Sequence, residues 1–596
     1  MAKQYIDLDH LSFLVFDVHK IESLLAHSYF GDFDREMLEM MMKSALDFAD
    51  RELKPYLEEM DKKGARYEDG IVHVHPQVKK VLSGLGKLGI LNATLPIEHG
   101  GMQLPHMVHY ANSLIYTAAN NGCIGFSMLT AGAAKLIVSF GSDELKRTYA
   151  DKMYEGIWQG TMAMTEPQAG SSLSDITTKA VRKSDGTYSI SGQKIFISGG
   201  DYSDSENVVH LMLARIPGAP AGVKGISLFV VPKKRVESNV LINNDVVTAG
   251  IFHKMGQHSY VTTHLLLGEH DDCTGYLVGE EHHGLSYMFQ MMNAARIEVG
   301  LTGTAIASAA YFASLEYAKE RRQGRHPDSK DPSESPVRII EHADIRRMLL
   351  LQKAFVEGTS SLIVQCAYYI DMTRVSSGEE KEKYSLLLDI LTPVVKAYPT
   401  ELGIVSVSNG LQCLGGYGYC QDFPLEQLYR DIRITTLYEG TTGIQSLDLL
   451  SRKFTMKNGK AAKLLFDEIN KTLNLCSEIE LLDPLLTKYN LALDKYVKVV
   501  EHLKKLALSG DIKGYLADAT LFMELTGLLL LGWQWLKQGL AVSDTEYNPA
   551  YHSIKEGKIQ TMKYFFTYEL PKINSLCQIL INNERITLKG ENDIFL

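Results

Sequence analysis

Ile226-Ser227-Leu228-Phe229-Val230-Val231 decides the fold class, because together with Tyr188-Ser189-Ile190-Ser191 it interrupts an otherwise helical chain. Residues 160–285 carry β-branched, alternating segments of this kind separated by turn residues, the pattern of strands. Asp185-Gly186 lies between two of them and predicts a hairpin, since both residues tolerate positive φ. On the amino-terminal side, Met37, Met40, Met41, Ala45 and Phe48, then Val78, Val81, Leu82 and Leu85, recur at helical spacing. Residues 34–159 therefore read as a helical domain behind a short leader, 1–33. On the other side, apolar periodicity over 288–321, 339–376 and 384–415 predicts long helices, hence a bundle over 286–455. Residues 326–336, with three prolines and alternating charge, cannot continue a helix and predict an exposed loop. Helical patterns with balanced charge continue over 456–596, an appended helical domain for which Asn458-Gly459 marks the boundary. The expected fold is mainly α with a central β domain.

A chain of 596 residues exceeds the size at which one core keeps growing, so several packed domains are expected. Hydrophobic residues at 45% and charged residues at 22% are ordinary globular usage, which argues against a largely disordered or fibrous chain. The net charge of -10 argues against a dedicated nucleic-acid binder. Seven scattered cysteines (Cys123, Cys273, Cys366, Cys413, Cys420, Cys476, Cys577), odd in number and without a C-x-x-C pair, read as reduced thiols in a cytosolic compartment. Met1 to Asp7 lack the basic start and apolar run of a secretory signal, so export is not expected. Residues 525–536 (LTGLLLLGWQWL) fall short of the ~20 that span a bilayer and predict a buried helix, with peripheral membrane contact as the alternative. His106 with His109, and His282 with His283, form no metal-ligand set and read as structural.

The sequence contains no G-x-x-x-x-G-K-[ST], no H-E-x-x-H and no G-x-S-x-G. Gly415-Gly416-Tyr417-Gly418 follows a helical pattern instead of a strand, which disfavours a Rossmann site. Three other blocks are more informative. They are Met164-Thr165-Glu166-Pro167-Gln168-Ala169-Gly170-Ser171-Ser172, Gly192-Gln193-Lys194-Ile195-Phe196-Ile197-Ser198-Gly199-Gly200 and Leu437-Tyr438-Glu439-Gly440-Thr441-Thr442-Gly443-Ile444-Gln445. With Gln412 to Gly418 and Tyr429-Arg430-Asp431, their order and spacing resemble the acyl-CoA dehydrogenase superfamily. The resemblance covers residues 34–455. The leader and the domain after 455 resemble the longer bacterial branch that includes the methylmercaptopropionyl-CoA dehydrogenases.

The resemblance implies an amino-terminal helical domain, a middle β-barrel and a helical bundle. It also implies FAD as cofactor and α,β-dehydrogenation of an acyl-CoA to the trans-2-enoyl thioester, a β-oxidation reaction. Glu439 would be the base, its pKa raised by an apolar site, and the Gly440 N–H would bind the thioester oxygen. Met164, Thr165, Gly170, Ser171, Phe196, Ser198, Gln412, Gly415, Gly416, Thr441 and Gly443 would hold FAD, with Ser198 near flavin N5 and Phe196 where relatives often carry Trp. Phe196 in a strand also reads as simple core. Arg321 would reach the flavin pyrophosphate of a neighbouring subunit, implying a homo-oligomer. Ser171, Asn293, Arg296 and Gly440 would contact the substrate, Arg296 being alternatively a structural ion-pair partner. Another branch places its base where this chain has Ala295, which cannot abstract a proton; Glu298, one turn on, reads as structural or surface. Thr442 with Gln445 predicts a capping box and a helix start.

Electrons would pass to an electron-transferring flavoprotein. Alternatives are an acyl-CoA oxidase, which returns electrons to oxygen, and a flavin-bearing, DNA-protecting relative, which the acidic total disfavours. The carboxyl-terminal domain reads as a dimerisation or stability element in place of the second half of a tetramer.

Overall fold

The computed structural model describes residues 3–329, 331, 333–543, 552–582 and 584–590. Met1 and Ala2 of the leader, Lys330 and Pro332 of the 326–336 segment, and residues 544–551, 583 and 591–596 of the carboxyl-terminal segment lie outside the described residues. The chain packs as two compact units, one of Met1–Lys43, Pro105–Leu114 and Arg296–Leu596, the other of Ser44–Leu104 and Ile115–Ala295.

The second unit contains the strands. Tyr188–Ser198, Thr274–Leu277, Ile226–Pro232 and Val208–Arg215 pair antiparallel in that order, and Lys179–Arg182 pairs with both Tyr188–Ser198 and Val208–Arg215, closing a ring. Tyr188, Ile190, Met212, Phe229, Val231 and Leu265 fill its core. Every residue of Ile226–Pro232 is buried, so this strand departs from the half-buried alternation read in the sequence. The cause is cover on its second face: a Cβ on Gly284 would lie 2.2 Å from the Ser227 carbonyl carbon, so the next helix starts against the strand backbone. The hairpin at Asp185-Gly186 forms, but only Gly186 takes positive φ (85°); Asp185 instead accepts hydrogen bonds from the Thr187 N–H and hydroxyl through its carboxylate.

Long helices Ala343–Val375 and Gly378–Leu414 dominate the first unit, joined there by the carboxyl-terminal part of helix Gly284–Glu320. Gly378–Leu414 contains Pro393 and Pro399, each of which removes one i→i−4 hydrogen bond and leaves a carbonyl, that of Asp389 or Val395, without its helical donor. At Val395 the neighbouring helix comes close. A Cβ on Gly300 would lie 1.8 Å from the Val395 carbonyl oxygen, so the two helices cross there only because position 300 has no side chain. That crossing, one turn after Arg296, positions the site described below.

Lys457, Asn458 and Gly459 have φ of 51°, 56° and 82°, a left-handed interruption before the helix that runs on to Cys476. The carboxyl-terminal helices share a compact unit with the bundle. Residues 525–536 lie in helix Ala519–Ser543, where Leu525, Leu530, Leu531, Trp533, Trp535 and Leu536 are buried, as the apolar run predicts. Each such leucine contributes about 2 kcal/mol of transfer free energy. The Trp535 Nε1–H donates to the Ala354 carbonyl at 3.0 Å, and Gly527 leaves room for the Tyr398 ring, which a Cβ would meet at 2.2 Å.

Candidate active site

After the short helix Arg433–Thr436 the chain turns through two successive left-handed residues, Glu439 (φ 53°) and Gly440 (φ 88°). For a non-glycine residue this is a strained conformation, of the kind that persists where surrounding contacts over-determine it. Gln445 supplies those contacts. Its buried side-chain amide donates to the Glu439 carbonyl at 3.0 Å and to the Gly440 carbonyl at 3.4 Å. Position 440 needs glycine twice over, for its φ and because a Cβ would lie 2.5 Å from Gln445 Nε2. The predicted capping box of Thr442 with Gln445 does not form. Thr441 is the N-cap of helix Thr442–Leu447, accepting from the Ile444 N–H, while the Thr442 hydroxyl donates to Glu401 and Gln445 is spent on the turn.

Glu439 as a residue is half-buried, but its Oε2 is sealed from solvent and has no hydrogen-bond partner. Burial pushes its pKa up to about 7, against the opposing pull of the Arg296 and Lys396 charges. Arg296 is itself buried and donates to Asp448 at 3.2 Å, so the ion-pair role read as its alternative is the contact it makes here. The Gly440 N–H makes no hydrogen bond among the described residues. A carboxylate that titrates near neutrality thus adjoins an unspent backbone donor, the arrangement needed to take a proton beside a carbonyl and hold the resulting enolate oxygen.

In the other unit, the 164–172 block is anchored by a contact the sequence reading missed. Glu166 is buried and accepts from six donors: Lys194 Nζ at 2.8 Å, the N–H and hydroxyl of both Thr177 and Thr178, and the Gln168 amide. Burial opposes its charge, but Lys194 and the threonine donors outweigh it and the pKa falls to about 2. Lys194 also donates to the Met164 carbonyl, and the Ile195 N–H to that of Thr165, which ties this loop to the strand bearing Phe196 and Ser198. Phe196 is not core. It is 57% exposed at φ 57°, its ring 4.5 Å from that of Phe252, so a bend in the strand turns the ring outward. Thr165 and Ser198 are half-buried; Gly170 and Ser171 are exposed, with nothing within 4 Å of a Cβ built on Gly170.

Among the remaining predicted residues, Gln412 is exposed near the end of Gly378–Leu414, and Gly415 (φ 60°) and Gly416 lie open just beyond it. Gly443 is exposed on the first turn after Thr441, Arg321 is exposed just past Gly284–Glu320, and Asn293 is half-buried within that helix. Glu298 is half-buried one turn after Ala295. Sequence reasoning passed over Lys396. A lone lysine inside the apolar run 391–399, between two prolines, was the available signal.

Family models match nearly the whole length: the acyl-CoA dehydrogenase N-terminal domain over residues 35–157, its middle domain over 161–268, its C-terminal domain over 282–453, and an acetyl-CoA dehydrogenase C-terminal-like domain over 465–589. The 3-methylmercaptopropionyl-CoA dehydrogenase of Ruegeria pomeroyi is 37% identical over 538 residues, 89% of each chain. The chain belongs to the acyl-CoA dehydrogenase family. As a member, it is an FAD-dependent oxidoreductase that dehydrogenates an acyl-CoA. Two solved structures share the fold of this acyl-CoA dehydrogenase. Caenorhabditis elegans ACDH-11 in complex with C11-CoA has a TM-score of 0.77 at 20% identity, covering 98% of this chain and 96% of that one. An acyl-CoA dehydrogenase complexed with FAD from Bacillus anthracis has 0.75 at 22%, covering 95% and 90%.

The residues present fit the cofactor that the family uses. An outward-facing aromatic ring, half-buried hydroxyls at Thr165 and Ser198 and glycine backbone with open space around it are what a flat ring and its phosphates require.

Proposed function

We propose that Glu439 is the base of the dehydrogenation, that the Gly440 N–H binds the thioester oxygen, and that the acyl chain and CoA are met by Ser171, Asn293 and Arg296. The observation that carries this reading is the buried, unpartnered Glu439 Oε2, on a carboxyl whose pKa burial pushes up to about 7. A thioester α-proton is weakly acidic, and a base matched to it near neutral pH transfers that proton most effectively. Taking the proton moves charge onto the thioester oxygen, where the free Gly440 N–H is worth most. Burial holds the Glu439 pKa near neutrality, where its ionised form accepts a proton, and the left-handed turn fixes the backbone from which its carboxyl extends. FAD, when bound, supplies acceptance of the β-hydride. Its holders are Met164, Thr165, Gly170, Ser171, Phe196, Ser198, Gln412, Gly415, Gly416, Thr441 and Gly443, with Arg321 of a second copy reaching the pyrophosphate. The exposure of Arg321 suits that reach. The enzyme works as a cytoplasmic homodimer, and its electrons leave to an electron-transferring flavoprotein.

The test is anaerobic titration of the FAD-loaded protein with acyl-CoAs of different chain type, following the visible flavin band, with Glu439→Gln alongside. Bleaching by one class of thioester that is lost in the variant supports the base and gives the substrate. Bleaching at an equal rate in both removes Glu439 from this role. Re-oxidation of the reduced protein by electron-transferring flavoprotein and not by oxygen separates a dehydrogenase from an oxidase.

A further inference from the structure

A cavity of about 230 Å³ lies within the first unit, walled by the leader, the carboxyl-terminal part of helix Gly284–Glu320, helix Ala343–Val375 and helix His552–Tyr564. It shares no residue with the site described above. Phe312, Leu315, Val356 and Ile554 give it apolar walls. Its polar side is a network of charged groups. Buried Lys558 donates from Nζ to Glu357 Oε2 at 2.8 Å, to Gln538 at 3.2 Å and to His10 Nδ1, while Lys353 donates to Glu357 Oε1. Asp7 caps helix Leu8–Ser12 by accepting the His10 N–H at 3.1 Å, and its carboxyl feels both lysines. Two lysines thus face two carboxyl groups.

What this network leaves unspent defines a ligand. Because His10 Nδ1 accepts from Lys558, the ring proton sits on Nε2, and burial together with the Lys558 charge keeps the imidazole neutral. The buried His10 Nε2 has no hydrogen-bond partner among the described residues, and neither has the hydroxyl of Tyr311, which also lines the cavity. Water suits the space poorly: the volume equals about eight waters of the liquid, each needing several polar partners, and the walls are apolar opposite the network. An ion suits it no better, since the lysines already have their counter-charges and an added charge would be desolvated without one. The volume is also below the ~300–1,000 Å³ of sites for drug-sized ligands, which excludes the acyl-CoA itself. We infer that this cavity is a second binding site, for a small neutral molecule with an aliphatic body and one carbonyl or hydroxyl oxygen, the oxygen accepting from His10 Nε2–H beside the Tyr311 hydroxyl. The inference does not depend on which residue is the base.

The experiment is calorimetric titration of the FAD-loaded full chain with hexanamide, hexanoate and hexylammonium, three probes of similar size that differ in charge, with the thermal unfolding midpoint followed in parallel. Hexanamide should bind the wild type and raise its midpoint, because a ligand of the folded state stabilises it. The two charged probes should bind about tenfold more weakly or not at all. Val356→Phe and Leu315→Phe fill the cavity from two different helices and should weaken hexanamide by about tenfold or more, while flavin reduction by acyl-CoA keeps its wild-type rate. Absence of hexanamide binding in the wild type, binding that both filled variants retain, or a charged probe that binds as tightly as hexanamide overturns the proposal. Should either filled variant not fold, Ile554→Phe, at a half-buried position on helix His552–Tyr564, fills the same space from a third helix and is read in the same way.

Discussion

Glu166 and Glu439, one in each unit, each bury a carboxyl oxygen, and their environments drive them in opposite directions. Glu166 accepts six hydrogen bonds, one from a fully buried lysine, and its pKa falls to about 2. Glu439 leaves Oε2 unpartnered, has its cations only at a distance, and rises to about 7. Burial alone raises both; donors in contact decide the sign. The first arrangement ties a loop to its neighbours by hydrogen bonds, and the second suits the base proposed above.

The largest test of this contrast is Glu439→Gln, which keeps size and removes the base: flavin reduction by acyl-CoA in stopped flow should slow about 10³-fold with the unfolding midpoint hardly changed. Glu166→Ala should do the reverse. It strands Lys194 with only the Met164 carbonyl, so urea unfolding should show a loss of about 3 kcal/mol; a loss below about 1 kcal/mol would dissolve the distinction drawn here. Gly440→Ala imposes a strained φ and a clash with Gln445, for about 2 kcal/mol of stability and a displaced N–H, read as a fall in both midpoint and reduction rate.

The pH dependence separates the two residues further. Reduction rate should rise about tenfold per pH unit below about 7 and level above it, because only ionised Glu439 accepts a proton. The folded-state pKa of Glu439 is raised, so its contribution to stability is present below 4.5 and is lost as pH rises through about 7. That of Glu166 is depressed, so its contribution is present above 4.5 and is lost as pH falls through about 2. Urea unfolding against pH in Glu439→Gln and Glu166→Gln isolates each limb. Smallest of all, Phe196→Gly should change stability by less than about 1 kcal/mol, since relief at φ 57° offsets the lost ring contact, yet weaken FAD retention in an ultrafiltration assay.

Much of this was legible in the chain. The switch from helical spacing to strand texture near residue 160 and back after 285 is local, and so were Glu439-Gly440 and the 164–172 and 192–200 blocks. What escaped depended on residues distant in sequence. Glu166 stood inside a quoted block, but its role came from Lys194, 28 residues away. Gln445 read as a capping partner because its spacing fits one; in the folded turn it instead satisfies two carbonyls that a left-handed pair leaves open. Phe196 in a strand read more readily as simple core than as a stacking ring, and its positive φ accompanies an exposed side chain instead.

The sequence by itself determined the order of helical and β regions and the family, because periodicity and short motifs are carried by neighbouring residues. The tertiary structure alone decided which glutamate has its pKa lowered and which has it raised. Desolvation and contact with a charge arise only when remote segments meet: Lys194 bonds Glu166, whereas Glu439 Oε2 is buried without a partner.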